Sequence, residues 1–299
     1  MIKINTKELE LSTGHVEVDG KNIAVTDISY EKKTEVATLK LASSLPASGK
    51  ALLVISYTGH LNREMAGFYR SGYKTEDGAD TWMYSTQFEA CDARRAFPCF
   101  DEPNLKCTFD FAIEVPEQYT ALSNQPEKST EAVGGGKKRV SFDTAPLMST
   151  YLYAWACGDF EYIEAFTERE YKGRGKLPVR VYTTRGLKEQ AKFALDSAVK
   201  AVDYLSEIFE YEYPLPKVDM LAVHEFSHGA MENWGLITYR TTAVLFDEKT
   251  SDARYKVRVA YVVCHELTHS WSGNLVTMDW WSELWLNEGF ATWVGWLVP

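Results

Sequence analysis

The chain has 299 residues, 45% of them apolar and 25% charged, with a net charge of −10. That length suggests roughly two domains, and the acidity, with no basic stripe, excludes a nucleic-acid partner. No apolar segment is long enough to span a bilayer or to act as a signal peptide, and the five scattered cysteines form no CxxC pair. The expectation is a cytoplasmic protein with free thiols and no membrane partner.

Residues 1–184 read mostly as β. Leu53, Ile55 and Tyr57 alternate with polar neighbours. Cys107 to Val115 reads as one strand, with Phe109, Phe111, Ile113 and Val115 on one face and Thr108, Asp110 and Glu114 on the other. Gly134-Gly135-Gly136 between charged residues marks a hairpin. Tyr151 to Cys157 is apolar on both faces, as in a strand covered on both sides.

The period then changes. Leu187, Ala191, Ala194, Ala198, Val202, Leu205 and Phe209 recur at three- and four-residue spacing, which predicts an amphipathic helix ended by Pro214 and Pro216. Val218 to Val223 reads as a strand. A long helix should open at Ser251-Asp252 and stop before Gly273-Asn274, and a further helix should start near Ser282. The fold class is therefore α+β and multidomain, with a β-rich unit over 1–184 and a mixed α/β unit over 185–299.

Near the end of the long helix lies His265-Glu266-Leu267-Thr268-His269. Two histidines four apart on a helix share one face, so both imidazoles can reach one zinc ion while the intervening carboxylate handles a water's proton. His224-Glu225-Phe226-Ser227-His228 matches the same pattern but follows a strand-like run and precedes Gly229. On extended backbone, residues four apart lie about 13 Å apart and cannot share an ion. These two histidines are therefore expected at the cleft rim as ordinary polar residues. For the third ligand, Asp279, Glu283 and Glu288 stay open on spacing. Gly289 beside Glu288 would let two helices approach, which favours Glu288.

Four further segments carry a resemblance. Gly229-Ala230-Met231-Glu232-Asn233, followed by Trp234-Gly235, lies 36 residues before the His265 motif. Leu286-Asn287-Glu288-Gly289-Phe290 follows it, and Thr86-Gln87-Phe88-Glu89-Ala90 and Phe97-Pro98-Cys99-Phe100-Asp101-Glu102-Pro103 precede it. Together they resemble the zinc aminopeptidases of the aminopeptidase N and puromycin-sensitive aminopeptidase family, the fungal cytosolic type most nearly. The resemblance implies a saddle-like β-sandwich N-terminal domain and a truncated thermolysin-like catalytic domain. It implies one Zn2+ held by His265, His269 and Glu288, with Glu266 as general base. It also implies that Glu232, Glu89 and Gln87 hold the free amine of a peptide, while Gly229, Ala230, Met231 and Asn233 align it. The family's oxyanion-stabilising tyrosine has no counterpart in these residues. The expectation is thus a poorly active fragment of a peptide-cleaving enzyme. The alternatives are a non-catalytic product that binds zinc or peptide N-termini, and an epoxide hydrolase or endopeptidase on the same scaffold.

Overall fold

The structure, a computed structural model, describes residues 1–298. The first five strands, β1 (Ile2–Asn5), β2 (Leu9–Val18), β3 (Lys21–Glu31), β4 (Val36–Leu41) and β5 (Leu52–Gly59), form a sheet in the order β1-β4-β3-β2-β5. Leu53 and Ile55 are half-buried on its covered face, whereas Tyr57 is exposed. β6 (Gly67–Lys74) and β7 (Asp80–Gln87) begin a second layer. The Phe97–Pro103 segment is tied back to the first sheet by Asp101. Its carboxylate accepts from Arg94 Nε at 2.9 Å and Thr150 Oγ1 at 2.7 Å, and its backbone N–H donates to Asn5 Oδ1.

The single strand expected over Cys107–Val115 is two, β8 (Cys107–Phe109) and β9 (Ala112–Pro116). The chain changes partners between them. β10 (Thr120–Ser123), β11 (Glu127–Gly134), β12 (Lys137–Phe142), β13 (Ala145–Met148) and β14 (Trp155–Gly158) follow. β8 pairs with β13, and β9 with β12. The in–out alternation survives the break, so the pattern alone did not reveal it. The β11–β12 hairpin turns at Gly134, Gly135 and Gly136, all with positive φ, a conformation glycine reaches without a Cβ penalty. The run from Tyr151 is also only partly strand. It opens as a short 3-10 turn at Thr150–Leu152 before β14, because Asn124 engages its backbone at Leu152 O and Ala154 N.

β15 (Phe160–Phe166) and β16 (Pro178–Thr184) lead through α1 (Lys192–Ile208) to β17 (Val218–Val223), β18 (Ala230–Met231) and β19 (Leu236–Arg240). These strands make one sheet, β15-β16-β17-β19-β18, which draws strands from both sides of residue 184. β16, β17 and β19 are parallel, and α1 is the crossover that a parallel pair requires. α1 buries Ala194, Ala198, Val202 and Leu205, the predicted stripe, after a 3-10 first turn at Lys188–Ala191. α2 (Thr241–Val244), α3 (Ala253–Thr268) and α4 (Leu284–Gly295) complete the chain. Asp252 caps α3 by accepting from Tyr255 N at 2.9 Å. One core cluster runs from β7 and β14 through the parallel sheet to α1 and α3. Among the described residues no helix is long and apolar enough to cross a membrane.

Candidate metal centre and acidic cleft

α3 delivers His265 and His269 one turn apart, with Nε2 atoms 3.1 Å from each other. α4 brings Glu288 Oε2 to 3.3 Å from His265 Nε2 and Oε1 to 3.6 Å from His269 Nε2. Donors about 2.0–2.1 Å from a tetrahedral ion stand roughly 3.3–3.4 Å from one another. The three side chains therefore fit one metal ion. His269 Nδ1 faces Ser272 O at 3.1 Å, which sets its Nδ1–H tautomer and leaves the Nε2 lone pair for the ion. Burial keeps His269 below its ordinary value, as a neutral ligand requires. Burial pushes the Glu288 carboxyl up, but His265 and His269 outweigh it and hold the group ionised.

The other candidates for the third ligand do different work. Glu283 accepts from Trp280 N and Ser282 Oγ, capping the turn before α4. Asp279 accepts from Asn104. The glycine at the helix contact is also not the expected one. A Cβ on Gly289 would meet nothing within 4 Å, whereas one on Gly295 would lie 3.2 Å from both His265 N and Cα. Close approach of α3 and α4 thus occurs at residue 295.

The His224–His228 segment is a bend after β17, not a helix. It latches the second β layer to the parallel sheet. Glu225 O accepts from Tyr69 Oη at 2.9 Å and Ser71 Oγ at 3.2 Å, and Glu225 Oε2 accepts from Gly72 N. His224 stacks on Tyr73 and meets Thr184 Oγ1 at 2.9 Å.

Beyond this bend the edge strand β18 runs past the metal triad. The cleft between them, about 320 Å³, is lined by Glu89, His228, Gly229, Ala230, Glu232, Tyr261, Val262, His265, Glu266 and Glu288. Four of these are carboxylates, and each of Glu89, Glu232 and Glu266 has a buried oxygen without a protein partner. Burial, reinforced by Glu232 and Glu288, pushes Glu89 up to about 9. Burial and Glu288 push Glu232 up to about 7, and Glu266 is likewise raised by burial and its carboxylate neighbours. Such crowding is relieved by cations set among the carboxylates.

Other predicted residues sit behind the wall. Gln87 ends β7 with its amide buried and unpartnered, two positions from Glu89. Met231 belongs to the core, and Asn233 donates to Thr238 Oγ1. Sequence reasoning missed the residues that hold the 229–235 segment. Asn274 Nδ2 donates to Glu232 O at 2.8 Å, Asn124 Nδ2 to Trp234 O at 3.0 Å, and Lys217 Nζ to Gly235 O at 2.7 Å. Gly235, at φ +86°, lets the Asn124 carbonyl approach to where a Cβ would stand 2.4 Å away. Only a buried lysine beside a strand, a costly choice without such acceptors, could have signalled it.

Two histidines and a carboxylate converging beside an acid-lined cleft define the plan of a metallopeptidase. Comparison with known proteins agrees. Residues 1–152 match the Peptidase M1 N-terminal domain and residues 193–298 the Peptidase family M1 domain. The chain belongs to the M1 peptidase family. It is 49% identical over 299 residues to Aminopeptidase M1-A of Oryza sativa subsp. japonica, covering 99% of this chain and 33% of that protein. It is 49% identical over 267 residues to the puromycin-sensitive aminopeptidase of Caenorhabditis elegans, 89% of this chain and 27% of that protein. With Aminopeptidase 2, mitochondrial, of Saccharomyces cerevisiae the identity is 45% over 298 residues, 99% of this chain and 30% of that protein. The chain spans about a third of the length of these relatives.

Proposed function

We propose that this chain carries the metal ligands and the amine anchor of a zinc-dependent aminopeptidase, which releases N-terminal amino acids from peptides. The observation that carries the reading is one cavity lined by His265 and Glu288 of the His265–His269–Glu288 triad and by Glu89 and Glu232. His265, His269 and Glu288 would hold one Zn2+. When bound, the zinc ion acidifies water and polarises a carbonyl oxygen.

The chain's own residues supply the rest. Buried Glu232 and half-buried Glu89 beside it hold the α-ammonium that marks a peptide's start. The free edge of β18, through Gly229 and Ala230, aligns the substrate as an added strand. Glu266, with an unpartnered carboxylate oxygen in the cleft, takes the proton from the attacking water and returns it to the departing amine. The free cysteines support a reducing, cytoplasmic setting.

The test uses the purified chain. It should bind one equivalent of zinc, and His265→Ala should abolish that binding. Leucine amide should bind, N-acetylleucine amide should not, and Glu232→Gln should weaken leucine amide binding about tenfold or more, the scale of a charge-assisted contact. Equal binding of the acetylated and free amines would sink the amine-anchor assignment.

A further inference from the structure

Glu232 is 3% exposed, its Oε1 has no hydrogen-bond partner, and it lines the cleft beside the metal triad. Glu89 Oε1 is also buried and unpartnered. One carboxylate oxygen each from Glu89, Glu232 and Glu288 stand within 4.8 Å of one another. The lining contains no lysine or arginine to neutralise them. Glu232, Glu266 and His269 also come this close, but His269 is committed, Nε2 to the triad and Nδ1 to Ser272 O.

Glu288 belongs both to the metal triad and to the group of three carboxylates. With Glu288 ceded to the zinc ion, Glu89 and Glu232 still bring two negative charges into one recess. A peptide ammonium neutralises one of them, whereas a divalent cation neutralises both. The donors are all carboxylate oxygens, which suit hard cations better than zinc. Calcium takes oxygens at about 2.3–2.6 Å, so donors on opposite sides of it stand about 4.6–5.2 Å apart. The three oxygens fit inside that span. They come from the turn after β7, the residue after β18 and the middle of α4. Calcium's flexible coordination accepts such a mixed set, whereas magnesium demands near-ideal octahedral geometry.

We propose that Glu89, Glu232 and Glu288 form a second cation site, which takes a calcium-sized divalent ion and excludes the peptide amine while it is occupied. The exclusion rests on the amine-anchor reading, but the cation site itself does not.

The zinc-loaded chain should be dialysed against Ca2+ and its metals counted by elemental analysis, with affinities taken from calorimetry. Calcium's preference for oxygen donors keeps it from displacing zinc at the two histidines. One equivalent of calcium should bind beside one of zinc. Glu89→Gln and Glu232→Gln should each weaken calcium binding about tenfold or more, since the affinity of oxygen sites follows ligand charge. Zinc should stay at one equivalent in both variants, which attests their fold. The apparent dissociation constant of leucine amide should rise as calcium fills the site. Absence of bound calcium, or binding that survives both substitutions, overturns the site. Calcium that binds there and leaves leucine amide affinity unchanged overturns the exclusion. Failure of leucine amide to bind the calcium-free chain overturns the amine-anchor reading instead, while the metal count still decides the cation site.

Discussion

Glu35 shows how single charges hold the β-rich layers together. Its carboxylate sits 2.5 Å from Lys7 Nζ and 3.2 Å from Arg94 Nη1, and Arg94 in turn holds the buried Asp101. Burial pushes Glu35 up, but Lys7 and Arg94 together hold it below its ordinary value of 4.5. A depressed carboxyl binds fewer protons folded than unfolded, so its stabilising contribution is present above 4.5 and is lost as pH falls through the folded value. Glu35→Gln should therefore lower stability to urea at pH 7 by something under about 1 kcal/mol, since solvent screens the pair. That deficit should shrink to nothing in acid. A deficit that stays constant from neutral to acid pH would show that shape rather than charge is responsible.

At the scale of elements, the packing of α3 on α4 decides the metal geometry, and the decisive position is Gly295. Its backbone rests against His265, where even a Cβ would stand 3.2 Å away. Gly295→Leu should push α4 off α3, displace Glu288 from the two histidines and weaken zinc affinity on the order of tenfold or more, as disturbing the support of a ligand does. Zinc titration against a chromophoric competitor measures this. Undiminished affinity would mean that α4 reaches its place without that contact. The sequence made both helices legible, because periodicity, the Asp252 cap and the histidine spacing all agree there. It did not show which glycine lies at the contact, because the choice between Gly289 and Gly295 depends on the rotation of α4, and nearly every face of that helix is apolar. Nor did it show the role of Glu225. Its main-chain oxygen accepts from Tyr69 Oη and its carboxylate from Gly72 N, both more than 150 positions away, and pairings at such separation leave no local pattern.

For the whole molecule, the acid-lined cleft lies where three pieces meet: the turn after β7 that bears Glu89, the edge of the parallel sheet, and the α3–α4 pair. The outer face of α4 is of a different character. Trp285, Trp293 and Trp296 are 68%, 60% and 62% exposed, and Leu286 and Leu297 are exposed beside them. A contiguous apolar face of this kind promotes association in water. Replacing Trp285 and Trp293 together by Glu should reduce the concentration dependence of sedimentation and lower the binding of a hydrophobic dye. Unaltered sedimentation would place any self-association elsewhere.

The contact between His269 and Ser272 has a consequence for how this protein can change over generations. The acceptor is a main-chain oxygen, so it is supplied whatever amino acid occupies position 272. Mutations there leave the imidazole's tautomer untouched so long as the turn keeps its path. At the adjoining Gly273, by contrast, φ is +132° and a Cβ would stand 3.2 Å from His269 Nδ1, so a substitution there would disturb the imidazole directly.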